Sequence, residues 1–181
     1  MATAPILETP RLTLRDPRVA DAAALQAKFP HWEIVQYLGA QVPWPYPPDG
    51  AEAFLRSLQN EDAVEDFTWA ICSKEAPDDL IGMIALRPYD PETRTQRGFW
   101  IAREHWGQRL VTEAADRILD FAFHELGWLE LWTGNARANI ASSRIKARQG
   151  FALIEIDEFA FVSGVLEREV WRIKAEDWRA R

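Results

Sequence analysis

Between Leu110 and Leu126 the apolar residues recur with the period of a single helix. Leu110, Ala114, Ile118, Ala122 and Leu126 are spaced by four, and Val111, Ala115, Leu119 and Phe123 form the adjoining row. Thr112, Glu113, Asp116, Arg117, Asp120 and Glu125 occupy the remaining arc. That pattern predicts an amphipathic helix over Leu110–Leu126 with one wide buried face. Gly127 stands where a left-handed C-terminal cap belongs. On both sides the period changes to alternation, over Arg97–Ala102 and Trp128–Thr133, as in strands. A strand–helix–strand crossover needs a sheet to lie on, which makes this a mixed α/β chain.

The flanking segments supply that sheet. Arg11–Arg15 alternates as a strand. Phe67–Ser73, Leu80–Tyr89 and Arg97–Ala102 read as an antiparallel meander, with the turn residues Asp90–Thr95 before the last strand. Phe151–Ile156 and Val165–Ile173 are the final strands. Asp16-Pro17 predicts a helix start running to Phe29, and shorter helical stretches cover Trp32–Leu38 and Ala51–Asn60. Asn139 caps a helix over Ile140–Gln149 that Gly150 closes. The break at Gln41–Gly50, rich in proline, predicts a stiff loop within one domain spanning 1–181.

Composition narrows the function classes. A chain of 181 residues has room for one real core. No apolar run approaches ~20 residues, which argues against a membrane span. Met1–Pro5 lacks the profile of a secretory leader, so a cytoplasmic location is expected. A lone cysteine, Cys72, rules out a disulfide framework, and no metal site is expected. A net charge of −7 argues against broad nucleic-acid affinity.

Two segments carry candidate chemistry. In Ile101–Ala114 a strand ends, a short loop turns at Gly107 and a helix begins without an Asp or Ser cap. Its free N–H groups form an anion site, and a pyrophosphate would fit there; an ordinary strand-to-helix turn has the same pattern. In Asn139–Phe151, Asn139 and Ser142 lie at a helix start, as a plain cap and a surface serine would.

Taken together, the segments resemble the GNAT superfamily of acyl-CoA-dependent N-acetyltransferases, and within it the ribosomal-protein N-terminal acetyltransferase (Rim-type) branch. The resemblance runs from Glu8-Thr-Pro-Arg-Leu-Thr-Leu-Arg15 through Pro45–Ala53 and Trp106-Gly-Gln-Arg-Leu-Val-Thr-Glu-Ala114 to Asn139-x-x-Ser142 and Gly150-Phe151. It implies a twisted, mostly antiparallel central sheet with helices on both faces. It also implies acetyl-CoA as co-substrate and direct attack by a primary amine, from a peptide N-terminus or a small molecule.

Site roles follow from the resemblance residue by residue. The pantetheine arm would lie along Trp100, Ile101 and Ala102, where one backbone N–H could meet the developing oxyanion. Gly107, Gln108, Arg109, Leu110, Val111 and Thr112 would hold the phosphates. Arg109 departs from the family's usual glycine. Asn139 would bond the pantetheine region, and Ser142 would protonate the leaving thiolate. Many relatives place a tyrosine one turn further on, where this chain has Lys146. Glu158 is the candidate base, and Trp44 and Tyr46 are candidate walls of the acceptor cleft. An α-amine is the easier nucleophile. Neutralising it at pH 7 costs about 1.4 kcal/mol, against about 4.6 kcal/mol for a lysine side chain.

Three alternatives stay open: a non-catalytic acyl-CoA-binding or regulatory module, an interaction domain without cofactor, and an acetyltransferase of small cationic drugs. A homodimer is among the open arrangements.

Overall fold

The computed structural model describes residues 4–60 and 66–179, so Met1–Thr3 of the expected leaderless start lie outside the described residues. A five-stranded antiparallel sheet is built in chain order from β1 (Leu7–Glu8), β2 (Leu12–Arg15), β3 (Phe67–Ser73), β4 (Ala76–Leu86) and β5 (Arg97–Ile101). Alternation along β3 sorts its side chains to two cores. Phe67, Trp69 and Ile71 face one, and Ala70 and Cys72 the other. The first core is covered by α4 (Leu110–Asp120), with Ala114, Ala115, Ile118 and Leu119 all buried. The second is covered by α1 (Ala22–Lys28), α2 (Trp32–Val35) and α3 (Gly50–Asn60). Helices thus lie on both faces.

A second sheet holds β6 (Glu130–Ala136), β8 (Gly164–Lys174) and β7 (Ala152–Phe161) in that spatial order. Between β6 and β7 runs α5 (Ile140–Gln149), and α6 (Ala175–Arg179) ends the described chain. Strands β5 and β6 are the facing edges of the two sheets, and they meet only at one end. There Gln96 N–H donates to the Trp132 carbonyl at 2.9 Å, Trp132 N–H to Gln96 Oε1 at 2.8 Å, and Thr133 Oγ1 to the Arg97 carbonyl at 2.9 Å. Beyond those contacts the strands part into a wedge.

A cluster of charges fastens the closed end. Arg168 Nε and Nη2 donate to the two oxygens of Asp157 at 2.9 and 2.6 Å, and Nη1 donates to the Thr93 carbonyl at 2.6 Å. Arg94 adds ion pairs to Asp157 and Glu155. The loop before β5 is thereby tied to the far sheet.

Several elements depart from the sequence expectation. The Asp16-Pro17 helix start is not used: Asp16 Oδ1 accepts the Ala4 N–H at 2.9 Å, and helical structure begins at Val19. The expected Trp32–Leu38 helix stops at Val35. The helix expected over Leu110–Leu126 is regular only to Asp120; Phe121–Glu125 form a wider π-type turn in which Leu126 N–H reaches back to the Phe121 carbonyl. The wider turn buries Phe121, Ala122 and Phe123 in succession, which a regular helix would fan around its axis. The late strands run longer than expected, β7 to Phe161 and β6 to Ala136. Among the described residues no helix is long and apolar enough to cross a membrane.

Candidate active site

The wedge exposes main-chain groups on the β5 side. Arg87 N–H donates to the Gln96 carbonyl at 2.7 Å, and Ala102 N–H to the Ile81 carbonyl at 2.8 Å. In an antiparallel ladder the bonded pairs alternate, so the even-numbered residues of β5 bond to β4. The odd-numbered residues turn their N–H and C=O groups toward the wedge. The Ile101 carbonyl is taken by the Trp106 indole N–H at 2.9 Å. The Ile101 N–H and both main-chain groups of Phe99 have no partner among the described residues. Of the expected trio, therefore, Ile101 points its main chain into the wedge. Trp100 faces β4, and Ala102 spends its N–H on Ile81. Phe99, absent from the expected set, joins Ile101.

At the open end of β5 the chain turns through Arg103–His105 into α4. No backbone N–H of residues 107–112 has a partner among the described residues; the first helical bond runs from Glu113 N–H to the Arg109 carbonyl at 3.0 Å. Gly107 has φ +76 with open space around its missing Cβ. Arg109, the N-cap, is itself left-handed, at φ 61 and ψ 14. That backbone conformation favours glycine, and it is the physical reason a glycine suits this position. Arg109 adopts it regardless, with its side chain exposed. The loop is braced from β2's side: Arg11 Nη1 donates to the Gln108 carbonyl at 3.1 Å, and Arg11 Nε pairs with Glu113 at 2.8 Å. A row of unpartnered N–H groups at a helix start, aimed outward from a braced loop, fits a pyrophosphate.

The start of α5 forms the opposite wall. Asn139 Oδ1 accepts the Ser142 N–H at 3.2 Å, so Asn139 is the N-cap the sequence predicts. Ser142 is 8% exposed. Its hydroxyl accepts a hydrogen bond from Lys146 Nζ at 2.7 Å, one helical turn on. Lys146 is 1% exposed, and its ammonium sits 5.9 Å from the centre of the Phe99 ring. Burial holds the Lys146 ammonium well below the usual lysine range; Arg97 pushes the same way and Glu169 opposes. Arg97 is also fully enclosed, and burial pulls its guanidinium down to about 10. It donates to Gln149 Oε1 at 2.8 Å, and its Nε has no partner among the described residues.

Glu158 lies exposed on β7, opposite Glu167 and separated from the wedge-side strand β6 by β8. A carboxylate bonded into the first turn of α5 is Glu169 of β8, which accepts the Ser143 hydroxyl at 2.6 Å. Ser143 also takes a hydrogen bond from Asn135 Nδ2 at 3.0 Å. Neither Glu169 nor Asn135 had a local signal in the sequence.

The proline-rich loop packs by aromatic contacts. Tyr46 is half-buried and edges onto Phe29 at 5.2 Å, and Phe29 in turn meets Trp100 at 5.0 Å. Trp44 is exposed beside Trp32 at 5.5 Å. Tyr46 is thus linked through one ring to β5, whereas Trp44 presents its surface outward.

An open strand wedge, a bare helix start at its mouth and a hydroxyl on its far wall are the parts of an acyl-CoA-dependent acyltransferase. The chain belongs to the acetyltransferase (GNAT) domain family, whose family model matches residues 11–152. An N-acetyltransferase of Bacillus subtilis, YoaA, described as uncharacterized, is 28% identical over 152 residues, 81% of this chain and 82% of its own. The FsC-acetyl coenzyme A-N(2)-transacetylase of Aspergillus fumigatus is 27% identical over 149 residues, 70% of this chain and 63% of its own. Among solved structures, Mycobacterium smegmatis RimJ in complex with CoA-disulfide has a TM-score of 0.79 at 17% identity, covering 96% of this chain and 87% of RimJ. The chain is an acyltransferase of the N-acetyltransferase kind, in a family that uses acetyl-CoA.

Proposed function

We propose that residues 1–181 form one acetyltransferase domain that moves an acetyl group from acetyl-CoA to a primary amine by direct attack. The observation that carries the reading is the set of unpartnered N–H groups at residues 107–112, at the mouth of a wedge whose far wall holds Ser142.

Residues 107–112 would hold the pyrophosphate, and the main-chain groups of Phe99 and Ile101 the pantetheine arm. Asn139, whose Oδ1 caps α5, would bond the same arm through its Nδ2. Bound acetyl-CoA supplies the activated acetyl group and a thiol leaving group. Ser142 Oγ holds the proton that a departing thiolate needs. The Ile101 N–H is a donor for an oxyanion, since it is preorganised and faces away from β4.

On the acceptor side, exposed Trp44 and Trp32 offer flat surfaces to a cation or an apolar side chain, with Tyr46 as the further candidate wall. A peptide N-terminus suits the site better than a lysine side chain, because less free energy is needed to present it neutral. Its proton leaves through water, with Glu158 and Glu169 as the candidate carboxylates. The Rim-type motifs of the sequence support a peptide acceptor. A two-part assay tests the proposal: acetyl-CoA binding, then acetyl transfer to a panel of peptide N-termini, lysine side chains and small polyamines. Binding without transfer to any of these would favour the non-catalytic module; no binding would remove the acyltransferase reading of this site.

A further inference from the structure

Lys146 is buried at the base of the wedge, and among the described residues its one polar contact is with Ser142. An enclosed ammonium is costly unless it is paired or functional. The groups that face it are Arg97 from β5, Glu169 from β8 and the Ser142 hydroxyl on its own helix. Asp116 on α4 lies one link further out, held by Gln149, which also accepts from Arg97. None of these is a carboxylate bonded to Lys146. Its Nζ donates into one lone pair of Ser142 Oγ, which leaves that hydroxyl's own proton free to turn toward the wedge.

Resting on the acetyl-transfer reading above, we infer that Lys146 is the positioning residue and proton reservoir behind Ser142. As the acceptor nitrogen forms its bond to the acetyl carbon and the carbon–sulfur bond breaks, Ser142 Oγ gives its proton to sulfur. Lys146 Nζ restores that proton to Ser142. The proton that the acceptor amine loses passes through water and a candidate carboxylate, which relays it to Lys146 Nζ, so every proton and electron pair is accounted for. A lysine held below its ordinary range by enclosure suits this work, because proton exchange is fastest when donor and operating pH are matched.

The test follows the Lys146 Cε resonance through a pH titration of the full chain, assigned by its loss in Lys146→Met. Three samples are compared: the protein alone, with CoA, and with desulfo-CoA, which lacks the sulfur. The expected result is a midpoint below that of ordinary lysines, moved upward by CoA and not by desulfo-CoA. The sulfur-dependent movement should vanish in Ser142→Ala. Equal midpoints with CoA and desulfo-CoA, or no CoA binding, would overturn the inference. In turnover, Lys146→Met should lower kcat by about 10-fold or more at little-changed KM, and should abolish the fall in kcat at alkaline pH. Wild-type kcat and pH profile in Lys146→Met would overturn the Lys146 role alone and leave acetyl transfer standing. CoA binding with no transfer to any amine would overturn both.

Discussion

Ser142 and Asp21 are both buried, and burial means opposite things for them. Ser142 keeps one hydroxyl proton uncommitted beside the wedge. Ser142→Ala is expected to lower kcat by about 100-fold while leaving acetyl-CoA affinity within about 2-fold, the pattern for a group that acts only in the transition state. Steady-state kinetics beside calorimetric binding checks it. Asp21 is committed on all sides. Arg15 grips its two oxygens at 2.9 and 2.8 Å, and the Arg18 N–H adds a bond at 2.7 Å. Burial works against its ionisation, but these bonds outweigh burial and hold the carboxyl below its usual range. The stabilisation is therefore complete above the unfolded-state pKa of about 3.9, and it is lost as pH falls through the lower folded-state value. Asp21→Asn should cost about 3 kcal/mol at neutral pH, with the deficit shrinking in acid. Urea melts of both proteins between neutral pH and the acid range would measure it.

The strand-to-helix turn before α4 and the cap of α5 differ in how they meet the same problem. In α5, Asn139 satisfies a first-turn N–H with its side chain. In α4, the cap residue Arg109 offers no side-chain bond and takes a left-handed backbone. Arg109→Gly removes that strain, worth about 1–2 kcal/mol, but loosens the unfolded chain by a part of that amount. The expected outcome is a gain of about 1 kcal/mol or less in thermal or urea stability, with the N–H groups still in place. A clear loss of stability would show that the Arg109 side chain supports the loop.

The same contrast explains what could be read in advance. The α5 cap, the Gly150 closure and the apolar face of α4 depend on residues within a few positions of one another, so Ile140–Gln149 was legible to the residue. The parting of β5 from β6 depends on residues more than thirty positions apart, such as Gln96 and Trp132. That is why Trp100 and Ala102 were expected beside Ile101 and Phe99 was not: alternation identifies a strand but not which edge its odd residues face. The wide turn at Phe121–Glu125 was hidden for a related reason, since Ala122 and Phe123 continue the helical rows of α4 until packing widens the turn.

For the molecule as a whole, the two sheets share the core beneath α4, and their facing strands β5 and β6 are hydrogen-bonded at one corner. The Arg94–Asp157–Arg168 cluster and the Gln96 bonds hold that corner, while the opposite end stays open. A ligand that touches both sheets should stabilise the fold through mass action. Acetyl-CoA at 100 times its dissociation constant adds ~2.7 kcal/mol. For a chain of this size that corresponds to roughly 5–11 °C in the unfolding midpoint. Scanning calorimetry with acetyl-CoA, and with adenine as control, measures it; a shift of similar size with adenine would mean that the ligand is not read across the wedge.

The loop at 107–109 carries a last consequence, for genetics. Positive φ at Gly107 and Arg109, with Gln108 between them, reverses the chain's handedness twice within three residues. Such reversals gather successive main-chain N–H groups into one concavity. A site written in amide protons is almost invisible to codon changes, because most substitutions alter the side chain and leave the N–H where it was. Alanine scanning would pass over it. Replacing a single amide by an ester, through chemical ligation at Gln108 or Val111, would delete one donor and leave the side chains untouched.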